Sequence, residues 1–168
     1  NGLTPKLSWS FAFSETSFAP LKAFPLIEQA AGHFVSRDYA TTVFLEEGVI
    51  FDDKGKAIDI SGSSFFIKDS RIKPSPAQIL INADGALRSM SNVLNKPPLK
   101  LLDRVQQPVN FGNAQISGKG RVEVLLKSNL TSDEITYEVK GTAKKFSSHV
   151  INPDFIISNG TLDFFADK

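Results

Sequence analysis

The chain has no cysteine, which removes disulfides, thiolate nucleophiles and cysteine-ligated metal sites together. That absence fits an oxidising compartment, where an unpaired thiol is a hazard, without requiring one. Trp and Met occur once each and Tyr twice. No apolar run approaches the roughly 20 residues that a membrane-spanning helix needs. No segment concentrates one sign of charge either: 19 basic and 18 acidic residues are interspersed and leave a net charge of +1. Without a Lys/Arg stripe to follow a phosphate backbone, nucleic acid is not an expected partner. The chain opens on Asn1-Gly2-Leu3 with no initiator Met and no signal peptide, and the expectation is a fragment of a longer protein whose anchor lies elsewhere.

What is present is phenylalanine, 14 residues of it, in a chain of 168 residues that is 41% hydrophobic and 22% charged. This length fits a single domain, 1–168, able to bury roughly two-thirds of its unfolded surface. Phe offers large apolar area with no polar handle, suited to a core or to a surface that meets apolar ligands.

The dominant sequence period is two. Leu7, Trp9, Phe11 and Phe13 alternate with Ser8, Ser10 and Ala12, a strand with one apolar face. A looser stretch holding Pro20 and Pro25 follows, and 20–35 is left open to a short helix. Residues 41–51 and 57–66 read as a hairpin about the polar turn 52–56, with Gly55 where a positive φ is wanted. Ile79, Ile81 and Ala83 mark another strand between Pro76 and Asp84-Gly85. Leu87, Met90, Val93 and Leu94 fall at helical spacing, so helix is expected within 86–105, interrupted by Pro97-Pro98. In 113–127, Ile116, Val122, Val124 and Leu126 share one parity. In 133–145, Ile135, Tyr137, Val139 and Ala143 alternate with Thr136, Glu138, Lys140 and Lys144, and these two stretches are expected to pair. Asn159-Gly160 between 154–157 and 161–165 reads as a two-residue hairpin turn. Roughly eight strand candidates give a mainly β fold, in one strongly curved sheet or two facing ones, with one or two short helices.

Chemistry-bearing residues are sparse. His33 and His149 stand far apart without neighbouring ligands, and no HExxH, GxSxG or phosphate-cradling glycine loop occurs. Glu46-Glu47, Asp52-Asp53 and Asp133-Glu134 are adjacent pairs, which in a strand point to opposite faces, and none has the spacing of a calcium loop. Asn129-Leu130-Thr131 matches a glycosylation sequon, a motif short enough to arise by chance. The reading is therefore of a non-enzyme with no cofactor and no metal.

The order of phrases over 41–165 carries a resemblance. Thr41-Thr42-Val43-Phe44-Leu45-Glu46-Glu47-Gly48 leads into Ile58-Asp59-Ile60-Ser61-Gly62-Ser63-Ser64-Phe65, then Arg71-Ile72-Lys73-Pro74-Ser75-Pro76-Ala77. Leu94-Asn95-Lys96-Pro97-Pro98-Leu99, Ile116-Ser117-Gly118-Lys119-Gly120-Arg121-Val122, Tyr137-Glu138-Val139-Lys140-Gly141-Thr142 and Asn159-Gly160-Thr161-Leu162-Asp163-Phe164 complete the series. This succession resembles the central region of AsmA-like, YhdP-like envelope proteins of Gram-negative bacteria. Residues 1–40 match it least.

The resemblance implies long antiparallel strands curled into a taco-shaped groove, apolar inside and polar outside. It implies a periplasmic segment of a protein anchored in the inner membrane, serving phospholipid transport towards the outer membrane. The implied partners are phospholipid or another acyl-chain ligand and neighbouring β-groove segments of the parent chain; excised edge strands are expected to self-associate. The expected groove lining is Trp9, Phe11 and Phe13; Val122, Val124 and Leu126; and Ile135, Tyr137, Val139 and Ala143. Two alternatives stand beside it: a closed β-sandwich serving adhesion or scaffolding, and a hydrolase using dispersed carboxylates with one His. Whether the Phe-bearing face is covered or open separates them.

Overall fold

In the computed structural model of the chain, the backbone is described for residues 7–20, 25–96, 113–127, 134–152 and 155–167, and side chains for the same residues except 146–158. The strands are β1 (Ser8–Phe18), β2 (Ile27–Arg37), β3 (Ala40–Phe51), β4 (Ala57–Asp59), β5 (Ser64–Ile67), β6 (Ser75–Ala86), β7 (Gln115–Leu126), β8 (Thr136–Asn152) and β9 (Phe155–Asp167), with one helix, α1 (Leu87–Leu94). All nine strands join one sheet, ordered β1-β2-β3-β4-β6-β7-β8-β9, with β5 filling the gap between β3 and β6 beside β4. Every pairing is antiparallel. The fold is thus mainly β in a single sheet, and no second facing sheet occurs among the described residues.

The expected pairing of 113–127 with 133–145 is present as β7 with β8, from Gln115 opposite Lys144 to Glu123 opposite Thr136. The 41–51 hairpin is present too. Asp52 closes its turn by accepting the backbone N–H groups of Lys54 and Lys56 at 2.9 and 2.8 Å, and Gly55 takes φ +70°.

Three expectations need correction. The return 57–66 is two strands, because Gly62 at φ +77° turns the chain between β4 and β5. Ser63 then ties the break to β6: its hydroxyl accepts the Asn82 N–H at 3.1 Å, while Asn82 Nδ2 donates to the Gly62 carbonyl at 2.9 Å. Most of the stretch left open to helix is β2, whose alternation is scrambled by bulges between Glu28 and Gly32. Asn159-Gly160 is no hairpin but lies inside β9. Within 86–105 the helix occupies Leu87–Leu94, and its expected continuation over 99–105 lies outside the described residues, as does the 129–131 sequon.

The core splits into two clusters along the strands. At one end, Val93 of α1, with Met90, packs on Ile27, Ala30, Leu45, Ile58 and Ile60. At the other end Ala77, Val124 and Ile135 are buried, with Phe65, Ile67, Ile79, Val122 and Leu126 against them. The helix-bearing end is called the upper end below.

Candidate apolar binding site

In an antiparallel sheet, directly opposed residues share a face, so the register alone maps the lining. Phe11 opposes Phe34, which opposes Val43, then Phe65, Ile79, Val122 and Tyr137. Across seven strands this row carries one polar atom, the Tyr137 hydroxyl at its end. Above it, Ile50, Ile58, Gly85, Ile116, Ala143 and Leu162 form another row. The opposite face reads Ser10, Val35, Thr42, Phe66, Gln78, Glu123 and Thr136 across the same strands, mixed and mostly polar.

All the residues expected to line a groove fall on the apolar face. Trp9, Phe11 and Phe13 are on β1, Val122, Val124 and Leu126 on β7, and Tyr137, Val139 and Ala143 on β8; Ile135 precedes β8 and packs on Val124. They are not one site. Trp9 and Phe11 lie at the sheet edge, 50% and 47% exposed, where Trp9, Phe11 and Phe34 stack with ring centroids 4.9 to 5.8 Å apart. Val124, Ile135 and Ala143, by contrast, are 4%, 1% and 1% exposed.

Between these regions the face opens into a cavity of about 310 Å³, at the lower end of the roughly 300–1,000 Å³ usual for small-molecule sites. Phe18, Ala19, Pro20 and Pro25 form one wall, and Val43, Leu45, Ile50, Phe65, Ile79 and Ile81 of the sheet form the other, with Ile27 and Ile60 at the upper end. Among the described residues, Ser63 and Ser64 are the only polar ones in the lining. The Ser63 hydroxyl is engaged by the Asn82 backbone, and by register the Ser64 side chain belongs to the opposite face. None of the residues expected from the sequence lines this cavity. The alternation of Val43 with Leu45 and of Ile79 with Ile81 was the available signal, but the wall from β1 and the start of β2 had none.

Among the described residues no charged side chain lines the site. The groups with displaced pKa values sit in turns or at a strand end. Asp52 is lowered first by the Lys56 N–H and then by the Ser89 hydroxyl, and Asp59 by the hydroxyl and N–H of Ser61. Asp69 is lowered to about 2 by the Arg71 guanidinium, which is raised in turn. The acidic pairs have local partners: Glu46 lies 3.4 Å from His33, Asp53 2.5 Å from Lys96, and Glu134 pairs with Lys127. Among the described residues no three His, Asp or Glu are grouped to hold a metal ion, and no helix is long and apolar enough to cross a membrane. His149 lies in β8, among the side chains not described. No family model, curated protein or solved structure matches the chain.

Proposed function

We propose that the chain holds acyl chains of phospholipid on the apolar face of its sheet, as a lipid-binding segment of an AsmA-like envelope protein. In this reading the segment lies in the periplasm, its parent protein is anchored in the inner membrane, and lipid passes between the inner and outer membranes. It performs no catalysis. The observation that carries the reading is the cavity: an apolar recess in which, among the described residues, two serines are the only polar lining and offer no free hydroxyl, on a face that is hydrophobic across seven strands. A sealed core would need no such recess, and a polar substrate would find no free side-chain hydroxyl or charge there among the described residues.

The driving force is transfer from water. Each buried methylene contributes about 0.8 kcal/mol, so a few of them give useful affinity without directional contacts. Binding is then tolerant of headgroup and insensitive to salt.

The test is displacement of a fluorescent fatty acid by phospholipid, with wild type and Val43→Phe. Val43 lies between Phe34 and Phe65 on the cavity floor, so the larger ring fills the space without adding charge. Excluding about two methylenes weakens binding roughly tenfold. A wild type that binds no acyl chain, or a Val43→Phe variant that binds as well as wild type, overturns the reading and leaves a scaffold module.

A further inference from the structure

β1 is one edge of the sheet, and among the described residues no strand pairs with its outer side. Its two halves differ. The upper half carries a register shift between Phe13 and Thr16, with Glu15 at φ +50°. Residues 8–13 pair with β2 without interruption and contain no charge and no proline. Protected edges carry Lys or Pro, a bulge, or a covering loop. Among the described residues this stretch has none of these, and residues 8–12 are exposed throughout. The other edge, β9, carries Asp163 and Asp167 and is broken by register shifts. A straight, uncharged six-residue edge rich in aromatics is a template for strand pairing.

We propose that residues 8–13 are a pairing surface for a second copy of this chain, the two β1 strands running antiparallel about a twofold axis near Phe11. Trp9 then faces Phe13 of the partner subunit, and Ser10 faces Ala12 of the partner subunit. The parities match, so the two apolar faces stay on one side and two sheets become one. The shelf of Trp9, Phe11 and Phe34 is continued and the half-exposed rings are covered. On the other face Ser8, Ser10 and Ala12 present neither bulk nor charge, and a net charge of +1 gives little repulsion between copies. The strand is its own complement, which argues for a second copy over an unrelated strand. A ladder of five residues, 9–13, buries less than a standard interface, so the dimer is weak and concentration-dependent.

Sedimentation velocity on the full chain, from micromolar to submillimolar concentration, tests this with two exposed double variants, S10K/A12K and S10E/A12E. Wild type dimerises with a blue shift of Trp9, the one tryptophan of the chain. Each variant alone stays monomeric with an unchanged circular dichroism spectrum, because like charges directly opposed repel. Their equimolar mixture dimerises, since Lys now faces Glu. Phe165→Lys, on the other edge, leaves association unchanged. A monomeric wild type, a Lys variant that dimerises alone, a mixture that stays monomeric, or loss of association in Phe165→Lys overturns the proposal.

Discussion

Phenylalanine and glycine are used as a pair in this sheet. Phe164 on the edge strand β9 directly opposes Gly141, and a Cβ built on Gly141 would stand 2.8 Å from the Phe164 ring and 2.6 Å from the Ser117 carbonyl. At the other edge Phe13 opposes Gly32, where a Cβ would meet the Phe13 ring at 3.1 Å and the Phe44 carbonyl at 2.0 Å. An edge aromatic lying over a glycine covers exposed backbone and fixes register at no cost in bulk. A second residue-level device is at the β2–β3 turn, where Asp38 and Tyr39 take φ +49° and +71°. Tyr is strained there, and the strain is offset by the Arg71 guanidinium 4.2 Å from its ring centroid and by the Ser70 N–H donating to its carbonyl at 2.9 Å. Arg71 also donates to both carboxylate oxygens of Asp69, at 3.0 and 2.7 Å. Asp69 therefore holds its proton only down at about 2, below its ordinary 3.8. Its stabilising contribution is complete above the ordinary value and is lost as pH falls through the folded one. An NMR pH titration should find Asp69 protonating near 2, and Arg71→Ala should return it towards the ordinary carboxylate range; an unchanged Asp69 in that variant would refute the assignment.

At the scale of elements, α1 owes its place to straps more than to propensity. Its first turn has no acidic residue and its N-cap no side-chain bond. Instead the Leu87 N–H donates to the Ala114 carbonyl at 2.9 Å, the buried Ser89 hydroxyl reaches Asp52, and Lys96 just beyond its end pairs with Asp53. Asp52 thus fastens its own turn and the helix together. Ser89→Ala removes the hydroxyl that helps hold the Asp52 carboxyl low, so the Asp52 pKa should rise towards its ordinary value and Tm should fall. A Tm equal to wild type with an unmoved Asp52 would show that the strap is not made. Since the Asp52 pKa is lowered in the fold, this contribution exists above its ordinary value of 3.8 and disappears in acid below it. The same elements explain what the sequence made legible. Clean alternation in residues 8–13 of β1 and in β6, β7 and the first half of β8 was readable because those stretches pair without bulges. β2 was unreadable because Gln29 at φ +53° and the shifts around Ala31 put Ile27 and Ala30 both inward, breaking the period. The turn signal misled for a related reason. A type I′ turn needs two residues at positive φ; Asn159 has φ +55° without Gly160 joining it and makes an irregularity within β9, whereas Asp38-Tyr39 has both and no glycine.

For the molecule as a whole, the informative feature is that one continuous apolar face is treated differently along its extent. Near α1 and around Val124 it is packed, over the cavity it is recessed, and at β1 it is open. The sequence carried which residues share the face, because parity along each strand decides that. It did not carry which are covered, because cover comes from segments distant in sequence, such as Pro20 and Pro25, which line one cavity with Val43 and Ile79. A carboxylate placed on the face therefore has a different fate at each point. Val124→Asp puts an unpaired charge at a site 4% exposed, among Ala77 and Ile135, and should cost several kcal/mol, enough to unfold a domain of ordinary stability. Phe11→Asp puts the same charge on the edge strand at a site 47% exposed, where it stays hydrated. Its loss is the stacking with Trp9 and Phe34, about 1 kcal/mol or somewhat more, so the fold survives with Tm lowered by several degrees. Thermal denaturation followed by circular dichroism separates the two. If Phe11→Asp unfolds as completely as Val124→Asp, the β1 end of the face is sealed and the open-sheet picture fails. If Val124→Asp melts like wild type, the lower cluster is not a core. The expected order, wild type above Phe11→Asp and both far above Val124→Asp, follows from hydration of one carboxylate and its denial to the other.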